Sequence, residues 1–191
     1  MKRPVRFAFL LLLGLAFFAG PAAIRFYTDW LWFGEVGYPQ VFLTVIRSQS
    51  LLFVAAFSAA AVWLAANLRL ALRSIGDLRP VFTTREGIQV PLPGRRQLHT
   101  IASGVAVVVA VFVGLYASSQ WETWLAWRFA VPFGQNDPIL GRDAGVYIFS
   151  LPFLQFVRGG AQALVLLAAL GAGLLYFVSG SLSSRFGSLL W

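Results

Sequence analysis

The stretch GGAQALVLLAALGAGLLYFVSG (residues 159–180) contains 22 consecutive residues without a charge. A helix that crosses a bilayer needs about 20 mostly apolar residues, because the hydrocarbon core is roughly 30 Å thick. Gln162 is the only residue in this stretch with a side-chain amide. The stretch therefore predicts a transmembrane helix.

Three further segments have the same character, over residues 7–24, 50–72 and 100–119. In lipid every backbone donor and acceptor has to pair within its own segment, so even the valine-rich third segment is expected to be helical. The sequence thus predicts an all-α membrane protein with four transmembrane helices in two hairpins. We expect a single transmembrane domain over residues 1–191.

The first span also resembles a secretory signal peptide, since MKRPVR precedes an apolar run and small residues follow near position 22. Pro21 lies awkwardly beside such a cleavage site. We therefore expect the first span to be retained.

The composition excludes several classes of protein and site. Hydrophobic residues make up 59% of the chain and charged residues 12%, whereas soluble domains are about a quarter charged. Cysteine is absent and His99 is the only histidine, so thiolate metal sites, disulfides and a catalytic thiol are excluded. We predict no catalytic, cofactor-binding or metal-binding residues and no cofactor.

The positive charges alternate with the predicted spans. The N-terminus carries +3, the loop of residues 69–99 carries +4, and the outer connectors of residues 25–49 and 120–158 are each neutral. The positive-inside rule places both termini and the basic loop of residues 73–99 in the cytoplasm. This distribution explains the net charge of +8 without nucleic acid, which we do not expect as a partner. The basic loop would also attract anionic lipid, and IQVPLPGRR (residues 88–96) predicts an extended segment there.

Both outer connectors are aromatic and are expected to hold short interfacial helices. Pro39 can occupy a first helical turn, so a helix over residues 39–73 is predicted. Ser119 and Glu122 fit a capping box, which predicts a short interfacial or re-entrant helix starting there. Pro152 is expected just before an amphipathic helix that leads into the last span.

The segment DPILGRDAGVYIFSLPF (residues 137–153) interrupts two apolar runs with charges, glycines and prolines. Asp137 and Pro138 favour a turn. The spacing of Asp137 and Asp143 does not match a calcium loop, so local turn and salt-bridge roles are expected. We predict that DPILGRDAGVYIF (residues 137–149) is a structured cap on the outer face that packs against DWLWFGEVGY (residues 29–38).

The segments TDWLWFGEVGYPQVFLT (residues 28–44) and DPILGRDAGVYIFSLPF resemble uncharacterised protein family 0182, a family of large prokaryotic multi-pass membrane proteins. Leu140 and Val146 stand where the family pattern leads us to expect phenylalanine. The resemblance implies that this chain corresponds to the N-terminal membrane portion of a typical member. It implies a topology and no chemistry, because the family has no established activity.

The function predicted from these patterns is a structural or anchoring domain in the plasma membrane, for an exported domain, partner subunits or a homo-oligomer. The alternative is part of a transporter or channel assembly, which ionisable residues in the middle of spans would mark. None is present in the middle of the predicted spans. No phosphate loop, serine elbow or His/Glu metal pattern occurs, so an enzyme is not expected.

Overall fold

The computed structural model describes residues 3–74, 81–83, 89–91 and 95–178. Five α-helices account for most of this part of the chain. They are α1 (Arg3–Glu35), α2 (Pro39–Ser74), α3 (Arg95–Ser119), α4 (Trp121–Arg128) and α5 (Leu151–Val178). A π-helical turn over Val146–Ser150 leads into α5.

Three of these helices are long and apolar enough to cross a membrane, within the residues described. They are Pro39–Arg73, Arg96–Ser119 and Val146–Phe177. They correspond to the second, third and fourth predicted spans. The first predicted span, residues 7–24, lies inside α1, and its passage through a membrane remains a prediction.

The chain divides into two compact units, Met1–Arg47 and Ser48–Trp191. The first is a helical hairpin made of α1 and the start of α2. Its turn is a Schellman motif, in which Tyr38 N–H donates to the Phe33 carbonyl at 3.0 Å and Gly37 N–H donates to the Gly34 carbonyl at 3.2 Å. Gly37 has a φ of 77°, which a residue with a Cβ adopts only with strain.

The first connector differs from the prediction of a short separate helix. α1 continues to Glu35 and α2 begins at Pro39, so only residues 36–38 interrupt the two long helices. The helix over residues 39–73 is confirmed. Phe42 packs its ring 5.3 Å from that of Phe26 and 5.9 Å from that of Phe33, and these contacts hold the hairpin together.

In the second unit α2, α3 and α5 pack through small residues and a few large ones. Ala60 and Ala110 are completely buried. A Cβ on Gly114 of α3 would lie 2.9 Å from the Phe53 ring of α2 and 3.2 Å from the Phe53 carbonyl oxygen. Such close approach through a small residue is typical of helix pairs in membranes.

The same unit has a small core near the ends of its long helices. Leu72 and Leu175 are buried there together with Ala71. Further along, the Trp63 indole N–H donates to the Leu164 carbonyl at 3.2 Å. This bond joins α2 to α5.

The basic loop of residues 73–99 is shorter than predicted, because α2 extends to Ser74 and α3 begins at Arg95. Two three-residue strands lie between them, β1 (Val81–Thr83) and β2 (Gln89–Pro91), paired antiparallel with Phe82 opposite Val90. The extended segment predicted in IQVPLPGRR is confirmed over Gln89–Pro91. Residues 75–80, 84–88 and 92–94 lie outside the described residues.

The short helix predicted after α3 is confirmed as α4, but the capping box is wrong. Ser119 belongs to the last turn of α3, and its hydroxyl donates to the Tyr116 carbonyl at 2.7 Å. Gln120 is the N-cap of α4 and makes no side-chain capping bond. With one residue between the two helices, the serine hydroxyl satisfies the end of the first rather than the start of the second.

The start of the last helix is also earlier than predicted. Residues 144 and 145 are already helical, and the π-turn places Leu151 N–H on the Val146 carbonyl. Pro152 therefore lies within a continuous helical run instead of before it. The wider π-turn accommodates the proline ring, which would otherwise approach the carbonyl four residues earlier.

Candidate functional site

The most highly organised polar structure in the described chain is a loop over residues 133–147, which we call the two-aspartate loop. It is built on two carboxylates that accept hydrogen bonds from the loop's own backbone. Within it, an isolated antiparallel bridge pairs Asn136 with Asp143.

Asp137 organises the tip of this loop. Its carboxylate accepts the N–H groups of Ile139 and Leu140, both at 3.1 Å. Its main-chain carbonyl accepts the N–H of Gly141 at 2.8 Å, and Gly141 has a φ of 64°. The turn predicted at Asp137 and Pro138 is therefore confirmed, with a closure that spans five residues instead of four.

Asp137 also fixes the tip to the following helix. The Tyr147 hydroxyl donates to its Oδ2 at 2.8 Å. Tyr147 lies at the start of the helix that runs on into α5, so the tip is held against the first turn of a candidate membrane span. The local sequence pattern does not predict this contact between residues ten positions apart.

Asp143 holds the base of the loop. Its carboxylate accepts the N–H groups of Phe133 at 3.0 Å, Gly134 at 2.8 Å and Gly145 at 2.7 Å. Because the last of these opens a helical run, Asp143 is also the helix's N-cap. The aspartate thus joins the segment after α4 to the start of the next helix.

Gly145 is required by this geometry. A Cβ at this position would lie 2.8 Å from Asp143 Oδ1 and 3.0 Å from the Val131 carbonyl oxygen. The residue is buried and has an ordinary helical φ of −58°. Space, rather than backbone conformation, therefore selects glycine here.

The hydrogen bonds keep both carboxyl groups ionised. The N–H of Ile139, the hydroxyl of Tyr147 and the N–H of Leu140 lower the pKa of Asp137 below its ordinary value of 3.8. The N–H groups of Phe133, Gly145 and Gly134 lower the pKa of Asp143 in the same way, against a smaller opposing effect of burial. Carboxylates with lowered pKa values and three donors each are poor proton acceptors, so this arrangement stabilises structure rather than supplying a general base.

An aromatic stack lies beside the loop and connects α3, α4 and α5. The Trp127 and Phe153 rings are stacked with centroids 4.4 Å apart, and Trp124 lies 5.5 Å from Phe153. Phe156 extends the stack toward Tyr116 of α3, at 6.1 Å. The sequence predicts an interfacial or re-entrant helix here, but the contact of its tryptophans with Phe153 was not predicted.

Two further carboxylates, Glu35 and Glu122, lie in the connectors that the sequence predicts on the outer face. Glu122 is exposed in the first turn of α4, and Glu35 ends α1 in the other compact unit. Among the residues that the structure describes, no three His, Cys, Asp or Glu side chains are placed to hold a metal ion. The expectation of no catalytic, cofactor-binding or metal-binding residues remains a prediction.

The expected turn role of the two aspartates is confirmed by these bonds. The packing of the loop against residues 29–38 remains a prediction, as do the salt bridges proposed for Asp137 and Asp143. The two connectors belong to separate compact units.

The model of the "Uncharacterised protein family (UPF0182)" matches residues 6–189. The chain belongs to the UPF0182 family. The match covers both segments on which the resemblance rested, including the two-aspartate loop.

Several UPF0182 relatives are similar over most of this chain. A UPF0182 protein of Saccharopolyspora erythraea is 39% identical over 182 residues, covering 91% of this chain and 18% of that protein. A UPF0182 protein of Salinispora tropica is 42% identical over 164 residues, covering 83% of this chain and 16% of that protein. One of Geobacter sulfurreducens is 34% identical over 187 residues, covering 91% and 20%. The chain therefore spans a fifth or less of the length of these relatives. No solved structure gives a significant match.

Proposed function

We propose that this chain is a membrane domain that anchors an exported domain or partner subunits of a UPF0182 protein in the plasma membrane. It crosses the bilayer four times, with both of its ends in the cytoplasm. The lipid bilayer is its principal partner, with anionic lipid at residues 69–99. We infer no catalytic activity and no nucleic-acid binding for it.

The observation that carries this proposal is the apolar surface of the three long helices. Val62 of α2 is 71% exposed, Phe112 of α3 is 66% exposed and Leu170 of α5 is 65% exposed. Monomeric soluble proteins rarely expose apolar surface on this scale. Lipid covers it without cost, whereas the small residues between the helices supply the packing.

The first span, residues 7–24, and the orientation rest on the sequence. Residues 7–24 are uncharged and long enough to cross. The arginines and the lysine gather at the N-terminus and in residues 69–99, as they do on the cytoplasmic side of membrane proteins. The two-aspartate loop then lies on the outer face.

The anchoring role rests on two features. The uncharged runs 51–66, 101–117 and 159–180 offer no ionisable group to a transported ion, which disfavours conduction within this chain. The relatives are about five to six times longer than the segment they share with it, so most of each relative lies outside the part compared here.

To test the anchoring role, a soluble reporter is fused after residue 191, and membranes that contain the fusion are washed with alkaline carbonate. The reporter should stay with the membranes, whereas the same reporter alone should be released, and release of the fusion would contradict the anchor. The purified chain in vesicles should not raise the leak of protons or potassium above that of empty vesicles. A specific, saturable leak would favour the transporter or channel alternative.

A further inference from the structure

The tip of the two-aspartate loop carries the most exposed large apolar side chain of the described residues. Ile139 is 86% exposed and its neighbour Leu140 is 66% exposed. Two adjacent apolar side chains held outward on an ordered turn cost free energy in water, since each buried side chain of this size contributes about 1.5–3 kcal/mol.

The backbone N–H groups of this tip all donate to acceptors within the loop, so none of them needs a water molecule. Pro138 has no N–H, and the N–H groups of Ile139 and Leu140 donate to the Asp137 carboxylate. The N–H of Gly141 donates to the Asp137 carbonyl, and that of Asp137 donates to the Arg142 carbonyl. Five consecutive residues therefore present no free backbone donor, which removes the unpaired N–H groups that would oppose entry into lipid.

The tip is also fixed to the start of a candidate membrane span. Its anchor Asp137 binds the Tyr147 hydroxyl, and Tyr147 is the second residue of the candidate span Val146–Phe177. The tip is thus held beside the first turn of that candidate span. Arg142, exposed next to the tip, is placed to reach headgroup phosphates.

We propose that the turn Pro138-Ile139-Leu140-Gly141 inserts into the outer interface of the bilayer, with Ile139 and Leu140 as the buried side chains. The occupant of this apolar surface is lipid. Asp137 makes the insertion possible, because it closes the turn and satisfies the donors that would otherwise have to enter the interface unpaired. The inference rests on the proposed membrane domain and adds a second, shallow contact with lipid.

The chain has no cysteine, so a single reporter can be placed at the tip. A small environment-sensitive fluorophore is attached to the cysteine of the Ile139→Cys variant, and the full chain is reconstituted into phosphatidylcholine vesicles. Gln135→Cys, exposed in the same loop, is the matched control with the same fluorophore. Quenching is measured with aqueous iodide and with lipids that carry a nitroxide close to the headgroup.

At position 139 we expect a several-fold weaker quenching by iodide than at position 135, together with quenching by the nitroxide lipid. Equal iodide quenching at the two positions would overturn the proposal. Protection of position 139 from both quenchers would also overturn it, because a protein surface such as residues 29–38 would then cover the tip. Vesicle flotation separates this result from the domain assignment: a chain that floats with vesicles but has an iodide-accessible tip retains its membrane spans and loses the insertion.

Discussion

At the scale of single residues, the two aspartates hold their loop through charge-assisted hydrogen bonds to backbone amides. Asp143 accepts three such bonds and Asp137 accepts two, with a tyrosine hydroxyl as its third donor. A carboxylate serves better than an amide in this position, because an amide nitrogen cannot accept any of the three donors.

The substitution Asp143→Asn tests this directly. One side-chain NH₂ would then face a backbone N–H, so the thermal midpoint of the purified protein in detergent should fall at neutral pH. Glu122→Gln, which makes the same charge change at an exposed position of α4, should leave the midpoint nearly unchanged. An equal effect of the two substitutions would contradict the role given to Asp143.

The pH dependence follows from the lowered pKa of Asp143. A carboxyl group with a lowered pKa in the folded state stabilises the fold fully above its unfolded pKa, and loses this effect as the pH falls through the folded pKa. The midpoint difference between the native protein and Asp143→Asn should therefore be constant above pH 3.8, the ordinary value, and shrink below it. A difference that grows on acidification would have the wrong sign.

Gly145→Ala tests the tightness of the same loop. The added Cβ would meet the Asp143 carboxylate and the Val131 carbonyl, and overpacking of this kind costs about 1–3 kcal/mol. Gly159→Ala is the control, since a Cβ there meets nothing within 4 Å. Unfolding in graded denaturing detergent should separate the two variants, and equal stability would show that the loop relaxes freely.

At the scale of elements, the sequence predicts where the long helices lie, but it does not predict where most of them begin and end. Uncharged runs of 16 residues or more can only be helical in lipid, and Pro39 marks the start of α2 as predicted. The prediction of a capping box at Ser119 was wrong because α3 extends to this residue, and its hydroxyl donates to a carbonyl of α3. The prediction that the last helix begins after Pro152 was wrong because a π-turn accommodates the proline within the helix. No local pattern in the sequence encodes such a turn.

The two-aspartate loop was predictable only in part. The dipeptide Asp137-Pro138 and the glycines indicated turns, and a turn was found. The bonds from Tyr147 to Asp137 and from Phe133 to Asp143 each join residues ten positions apart. Contacts at that separation depend on how the chain folds back between α4 and α5, which composition and periodicity do not specify.

The contact between α2 and α3 gives a prediction at this scale. Gly114→Ala would press a methyl group against the Phe53 ring and carbonyl, and we expect a loss of about 1–3 kcal/mol. Gly104→Ala on the same helix meets nothing within 4 Å, so it should be neutral or stabilise the helix by up to about 1 kcal/mol. Thermal unfolding of both variants measures the difference.

The double variant Gly114→Ala with Phe53→Leu provides the second half of this test. A smaller side chain at position 53 leaves room for the new methyl group, so part of the lost stability should return relative to Gly114→Ala alone. Strictly additive losses would indicate that the two residues do not pack against each other.

At the scale of the whole molecule, the central claim is a multi-pass membrane domain with a basic cytoplasmic loop and an ordered outer loop. Among the described residues, three helices meet the length and composition needed to span a bilayer. The family membership adds that similar segments occur within much larger UPF0182 proteins. The outward position that we propose for the two-aspartate loop links this topology to the insertion of the loop's tip into the outer interface.

The most direct test labels single cysteines in intact cells with a maleimide that cannot cross the membrane. Gln135→Cys lies in the two-aspartate loop, which we propose is on the outer face, and should be labelled before the cells are opened. Gln89→Cys lies in the basic loop, in β2, and should be labelled only after permeabilisation. Labelling of position 89 in intact cells, or labelling of position 135 only after permeabilisation, would contradict the proposed topology.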